Sequence, residues 1–148
     1  MKSVFAKIIY TGNEVIKNSY VIFNKEIVGI NTKPEGEVIG EYEVITPAFI
    51  DAHSHIGMER AGEPSHEGEA NEHMESVLFT LDALDSIQMD DKSFKESIEN
   101  GILYSCVLPG SGNIIGGKSV IIRNYSKNTN DALIKYGGIK AAFGYNPM

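Results

Sequence analysis

Cysteine occurs once, at Cys106, so no internal disulfide can brace this chain, and its apolar neighbours Leu103, Tyr104, Val107 and Leu108 suggest a small packing residue rather than a nucleophile. Positive charge is also scarce. Thirteen Lys and Arg stand against 20 Asp and Glu, a formal charge of −7, whereas binding a phosphate backbone needs a concentrated positive field. Nucleic acid is therefore not an expected partner. No apolar run approaches the ~20 residues that span a bilayer, and Met1–Lys7 has no long apolar centre of a signal peptide. No membrane partner is expected, and cytoplasmic residence is the default. What the chain does have is 42% hydrophobic residues over 148 positions, enough for a sizeable core.

Histidine occurs four times, always between positions 53 and 73, and two of the four stand one residue apart in Asp51-Ala52-His53-Ser54-His55. In an extended strand alternate side chains share a face, roughly 7 Å apart at Cα, so His53 and His55 can bring two imidazoles to one cation. The apolar approach Ala48-Phe49-Ile50 suggests a buried strand, and Gly57 lets the chain turn away after the pair. Imidazole suits zinc first, with iron, nickel, copper or manganese as alternatives, and disfavours magnesium or calcium. A bare His-x-His is often no ligand at all, because catalytic zinc sites usually use three protein ligands. Asp51 shares the parity of the pair and could either orient a ligand imidazole or cap the strand end. His66 and His73 lie in a loop rich in Glu and Gly, where each alone suits a solvated surface.

Before Pro47 the sequence predicts short strands at Val4–Tyr10, Tyr20–Phe23, Glu26–Ile30 and Glu43–Thr46, with Asn24-Lys25 as a two-residue hairpin turn. After it, a strand over 48–54 leads into a polar loop to about His73. Val77, Leu78, Leu81 and Leu84 form a helical stripe. Asp90 or Asp91 can cap a second helix, in which Phe94 and Ile98 share a face and Gly101 marks the end. Ile102–Leu108 is a further strand, and this β, helix, β order predicts a parallel crossover and an α/β architecture. Residues 119–123, Ala132–Tyr136 and Ile139–Phe143 suggest more strands, with Gly137-Gly138 as a turn.

The loop Pro109–Gly117 follows a strand's C-terminal end, where parallel α/β barrels place their sites. Its Ser111 and Asn113 are candidate substrate-binding residues, since both hydrogen-bond without charge. Gly112–Ser119 also matches a phosphate-loop string. The β-branched Val120-Ile121-Ile122 that follows predicts a strand rather than the helix such a loop requires, so that match is set aside.

Pro47-Ala48-Phe49-Ile50-Asp51-Ala52-His53-Ser54-His55 resembles the first-strand metal motif of the amidohydrolase superfamily, which usually reads Pro-Gly-Phe-Ile-Asp-x-His-x-His. Asn71-Glu72, Leu84-Asp85-Ser86-Ile87, Leu108–Gly117 and Lys140–Pro147 resemble its imidazolonepropionase-like branch. Where that branch often carries Gly-Glu-Asn-Pro, this chain has Gly144-Tyr145-Asn146-Pro147, without the carboxylate. The resemblance implies an α/β fold: part of an N-terminal β-sandwich over 1–46, then the first strands of a (β/α)8 (TIM-type) metallo-hydrolase barrel over 47–148. Its implied metal ligands are His53 and His55, its cofactor a divalent metal, zinc first, and its substrate a small amide or cyclic amide cleaved at a C–N bond by a metal-activated water. Such a barrel takes about 250 residues, so the expectation is an N-terminal portion, whether truncated, split or degenerate. The other ligands and the general base have no counterpart here, and the chain alone should be inactive. Unpaired strand edges predict a homo-oligomer, and the rival expectation is a non-catalytic, self-associating half-barrel.

Overall fold

β-Branched and aromatic residues dominate the first 46 positions and form four strands: β1 (Lys2–Tyr10), β2 (Val15–Phe23), β3 (Ile27–Asn31) and β4 (Glu37–Ile45). They make one sheet in the order β3-β2-β1-β4, antiparallel except for the parallel β1/β4 pair. Ala6, Ile9 and Val21 are buried in it, flanked by Val4, Ile16, Ile30 and Ile45. The expected two-residue turn is longer: β2 ends at Phe23 and β3 begins at Ile27. The Asn24 Oδ1 accepts the Glu26 N–H at 3.0 Å, an Asx turn that adds a residue and shifts the strand register. The structure is a computed structural model that describes residues 1–60, 62–144 and 146. It divides into two compact units, Met1–Pro47 and Ala48–Met148.

The second unit carries β5 (Phe49–Ser54), α1 (Ala83–Ser86), α2 (Lys92–Glu99), β6 (Ile102–Val107), β7 (Ile115–Arg123), α3 (Thr129–Ala132) and β8 (Leu133–Ala141). Its sheet runs β5-β6-β7-β8. β5 and β6 are parallel and joined through α2, as the crossover pattern requires. α2 begins at Asp91, whose carboxylate accepts the Ser93 N–H at 2.8 Å, and it buries Phe94. Phe94, Ile87, Met58, Val107, Val120 and Ile122 form the heart of the core. Among the described residues no helix is long and apolar enough to cross a membrane.

Further expectations are corrected in the second unit. The stripe at Val77–Leu84 yields only the four-residue α1, because Val77 and Asp82 bridge to Ile115 and Lys118 on β7, with a turn at Phe79-Thr80 between the two bridges. Bonds from the Leu78 N–H to the Ile115 carbonyl and from the Lys118 N–H to the Leu81 carbonyl, both 2.8 Å, outweigh the helical periodicity. The turn expected at Gly137-Gly138 is absent. β8 runs through it antiparallel to β7, because Ser119 Oγ accepts the Gly138 N–H at 2.8 Å and donates to its carbonyl at 3.1 Å. Ile139–Phe143 is therefore no separate strand: its first three residues end β8. Finally, β5 is not buried. It is an edge strand, with Phe49 58% and Ile50 67% exposed.

Candidate metal centre

β5 ends at Ser54, and His53 and His55 sit on its tip. Their rings are 5.7 Å apart between centres and nearly perpendicular at 86°. Imidazole nitrogens bind zinc at about 2.0–2.1 Å, which places two rings sharing a tetrahedral ion roughly 5 Å apart. The observed spacing is within a small side-chain rotation of that value. The two rings are brought together at one end of the strand, not splayed to opposite faces.

The hydrogen bonds around them bear on ligation. His55 Nδ1 lies 2.7 Å from the Leu108 carbonyl oxygen. A carbonyl can only accept, so Nδ1 carries the proton, and in the neutral ring Nε2 then keeps a lone pair, the arrangement usual for a metal-binding imidazole. The Leu108 N–H donates back to the Ser54 carbonyl at 3.0 Å, so β6 continues past its last residue to hold the tip of β5. Asp51 Oδ1 accepts the backbone N–H of His53 at 3.1 Å. Of the two roles open for Asp51, the structure gives it the backbone cap. Gly57 makes the turn that follows with φ +78°, and a Cβ there would meet the Phe94 ring at 2.8 Å.

The other two histidines do not join the pair. His66 is exposed, 3.8 Å from Glu67, and lines a cavity of about 440 Å³ with Glu69, Glu72, Asp82 and Asp85. Neither His53 nor His55 lines that cavity. His73 is exposed, and its backbone N–H bonds to Glu72 Oε1 at 2.8 Å. The run of four histidines in sequence thus separates in space. Among the described residues no three His, Cys, Asp or Glu side chains stand together as a ligand set. Tyr145, where the branch often has a carboxylate, lies outside the described residues.

Ser111 and Asn113 sit in the loop between β6 and β7. Ser111 is half-buried, and its Oγ accepts from Asn146 Nδ2 at 2.9 Å; among the described residues its own proton has no acceptor. Asn113 is 2% exposed. Its amide nitrogen donates to the carbonyls of Glu72 at 2.9 Å and Glu75 at 2.7 Å, so both of its protons are committed to the neighbouring loop. The phosphate-loop match dissolves: Lys118 and Ser119 lie inside β7, with Lys118 over the Tyr136 ring and 3.8 Å from Asp82. A hydrogen bond to Asp82 raises the Tyr136 phenol above its ordinary pKa, with burial adding to the effect. Sequence reasoning missed the Leu108 carbonyl, which as a backbone group has no residue signature.

No protein-family model matches the chain. Over 93 residues, 62% of its length, it is 27% identical to the amidohydrolase tasK of Hapsidospora irregularis, and the match spans 10% of that protein. The crystal structure of an amidohydrolase from Thermotoga maritima MSB8 aligns with 99% of the chain at a TM-score of 0.86 and 25% identity, and the chain spans 40% of it. Both likenesses support the amidohydrolase family and a hydrolase resemblance for this mixed, mostly β chain.

Proposed function

We propose that this chain forms the N-terminal portion of a metal-dependent amidohydrolase of the imidazolonepropionase-like branch, acting on the C–N bond of a small amide or cyclic amide. In this reading Met1–Pro47 is part of a β-sandwich, and the parallel β5/β6 pair with α2 is the start of a (β/α)8 barrel. The observation that carries the proposal is the His53–His55 pair at a strand tip, 5.7 Å apart, with His55 Nδ1 held by a carbonyl.

The residues present fit a divalent cation, zinc first. Both donors are nitrogen, and the Leu108 carbonyl leaves His55 Nε2 free to coordinate. A cation held there lowers the pKa of a water toward neutrality and so supplies a nucleophile. The chain's own groups do the positioning: Leu108 keeps the proton on His55 Nδ1, and Asp51 fixes the backbone at His53. Ser111, through its hydroxyl, and Asn113, through its remaining oxygen, are proposed to meet the substrate's polar atoms.

The test is zinc per chain after loading and extensive dialysis, in the wild type and in a His53→Ala, His55→Ala double variant. The wild type should retain zinc and the double variant should not. Equal, negligible metal in both would sink the ligand assignment. A second reading, a non-catalytic half-barrel that self-associates, draws on the exposed Phe49 and Ile50 of edge strand β5. It is favoured if the double variant matches the wild type in metal content while both assemble.

A further inference from the structure

The metal-binding reading leaves one feature of the loops unexplained. The segment from Ala70 to Ser76 is zipped onto the glycine-rich loop that begins at Leu108. The Gly110 N–H donates to the Ala70 carbonyl at 2.6 Å, the Gly112 N–H to Asn71 Oδ1 at 2.8 Å, and the Ile115 N–H to the Ser76 carbonyl at 3.1 Å. Asn113 closes the zip from the other side through the Glu72 and Glu75 carbonyls. The fit is close: a Cβ on Gly110 would overlap the Asn71 side chain, and one on Gly112 would meet Asn71 Oδ1 at 2.9 Å. Glycine at both positions is what admits Asn71.

This lock lies two residues from the carbonyl that holds His55. Leu108 connects to Gly110 through Pro109, whose ring fixes φ, and the Pro109 carbonyl itself accepts from Lys140 Nζ at 3.3 Å. The Leu108 oxygen therefore cannot swing away while Gly110 and Gly112 stay engaged. We propose that Asn71 and Asn113 are positioning residues: by fastening the two loops they hold the Leu108 carbonyl on His55 Nδ1 and fix the tautomer whose Nε2 can bind metal. The inference rests on His55 as a ligand, but the tautomer itself exists without any metal. An asparagine serving only to stiffen a loop would leave the His55 ring chemistry unchanged.

The test uses the full chain, metal-free and labelled with nitrogen-15 at histidine, above the pH at which imidazoles are charged. The wild-type His55 should give the nitrogen shifts of an Nδ1–H tautomer. Asn71→Ala, which removes the acceptor for Gly112, and Asn113→Asp, which removes both donors, should move His55 to the averaged shifts of an imidazole free to interconvert. Asn71→Asp keeps the acceptor and should preserve the wild-type pattern. Zinc affinity should fall about 10–100-fold in the first two variants and not in the third. The two damaging variants act from opposite loops, so if one fails to fold the other decides. The proposal is overturned if a folded Asn71→Ala or Asn113→Asp chain keeps the wild-type His55 pattern, or if Asn71→Asp loses it as fully as Asn71→Ala does. Wild-type protein that binds no zinc yet shows these tautomer shifts would defeat the metal reading alone. Zinc bound equally well by all variants, with His55 unmoved, would defeat the positioning role alone.

Discussion

Gly57 shows how a single backbone choice sets up the histidine pair. Its φ of +78° turns the chain out of β5, and the space a side chain would need is filled by the Phe94 ring. Gly57→Ala combines a disfavoured backbone region with an overlap and should destabilise the protein by about 1–3 kcal/mol, read from the denaturant midpoint. An unchanged midpoint would mean the turn relaxes freely. Tyr136 offers a test of sign. Its phenol is raised by its hydrogen bond to Asp82, so the folded state holds that proton after the unfolded chain has released it. The stabilisation is complete below the ordinary tyrosine pKa of about 10 and is lost as pH rises through the folded value. Tyr136→Phe should therefore lose less stability than the wild type on going above that pH. The closeness of the rings at 53 and 55 and the turn at Gly57 were legible because alternation along a strand and the freedom of glycine dictate them locally. The carbonyl partner of His55 was not, since any residue at position 108 would supply it.

Elements were readable where a local signal met no competing partner. α2 announces itself through the Asp91 cap, the Phe94 and Ile98 spacing and the glycine after its end, and it forms over Lys92–Glu99. Asp91→Ala removes the acceptor for Ser93 and should cost at least about 1 kcal/mol. Phe94→Ala empties the packing beneath that helix and should cost about 3–5 kcal/mol, measurable by chemical unfolding. The stripe at residues 77–84 misled for the opposite reason. Its apolar residues lie in a segment bridged to β7 at Val77 and Asp82, a long-range partner that no window along the sequence contains. Gly137-Gly138 misled likewise, because in β8 Gly137 permits the close approach of Ser119 on the adjacent strand, whose Oγ binds the Gly138 backbone. The four strands before Pro47 were placed well in number and poorly in length, since strand ends depend on which neighbour is there to pair.

The second unit exposes apolar side chains on both edge strands of its sheet: Phe49 and Ile50 on β5, and Ile139 on β8 at 59%. Exposed edges with apolar flanks favour association. Sedimentation at micromolar concentration should detect a dimer or larger assembly, and Ile50→Lys with Ile139→Lys should shift it toward monomer. A monomeric wild type would contradict this. The likeness to an amidohydrolase of which the chain spans 40% carries the fold, while the chemistry rests on two imidazoles. X-ray absorption on the zinc-loaded chain counts them at the ion. Two imidazole nitrogens at about 2.0–2.1 Å, falling to one in either His53→Ala or His55→Ala, are the expected result. A zinc environment with one imidazole or none in the wild type, unchanged in both variants, would contradict it.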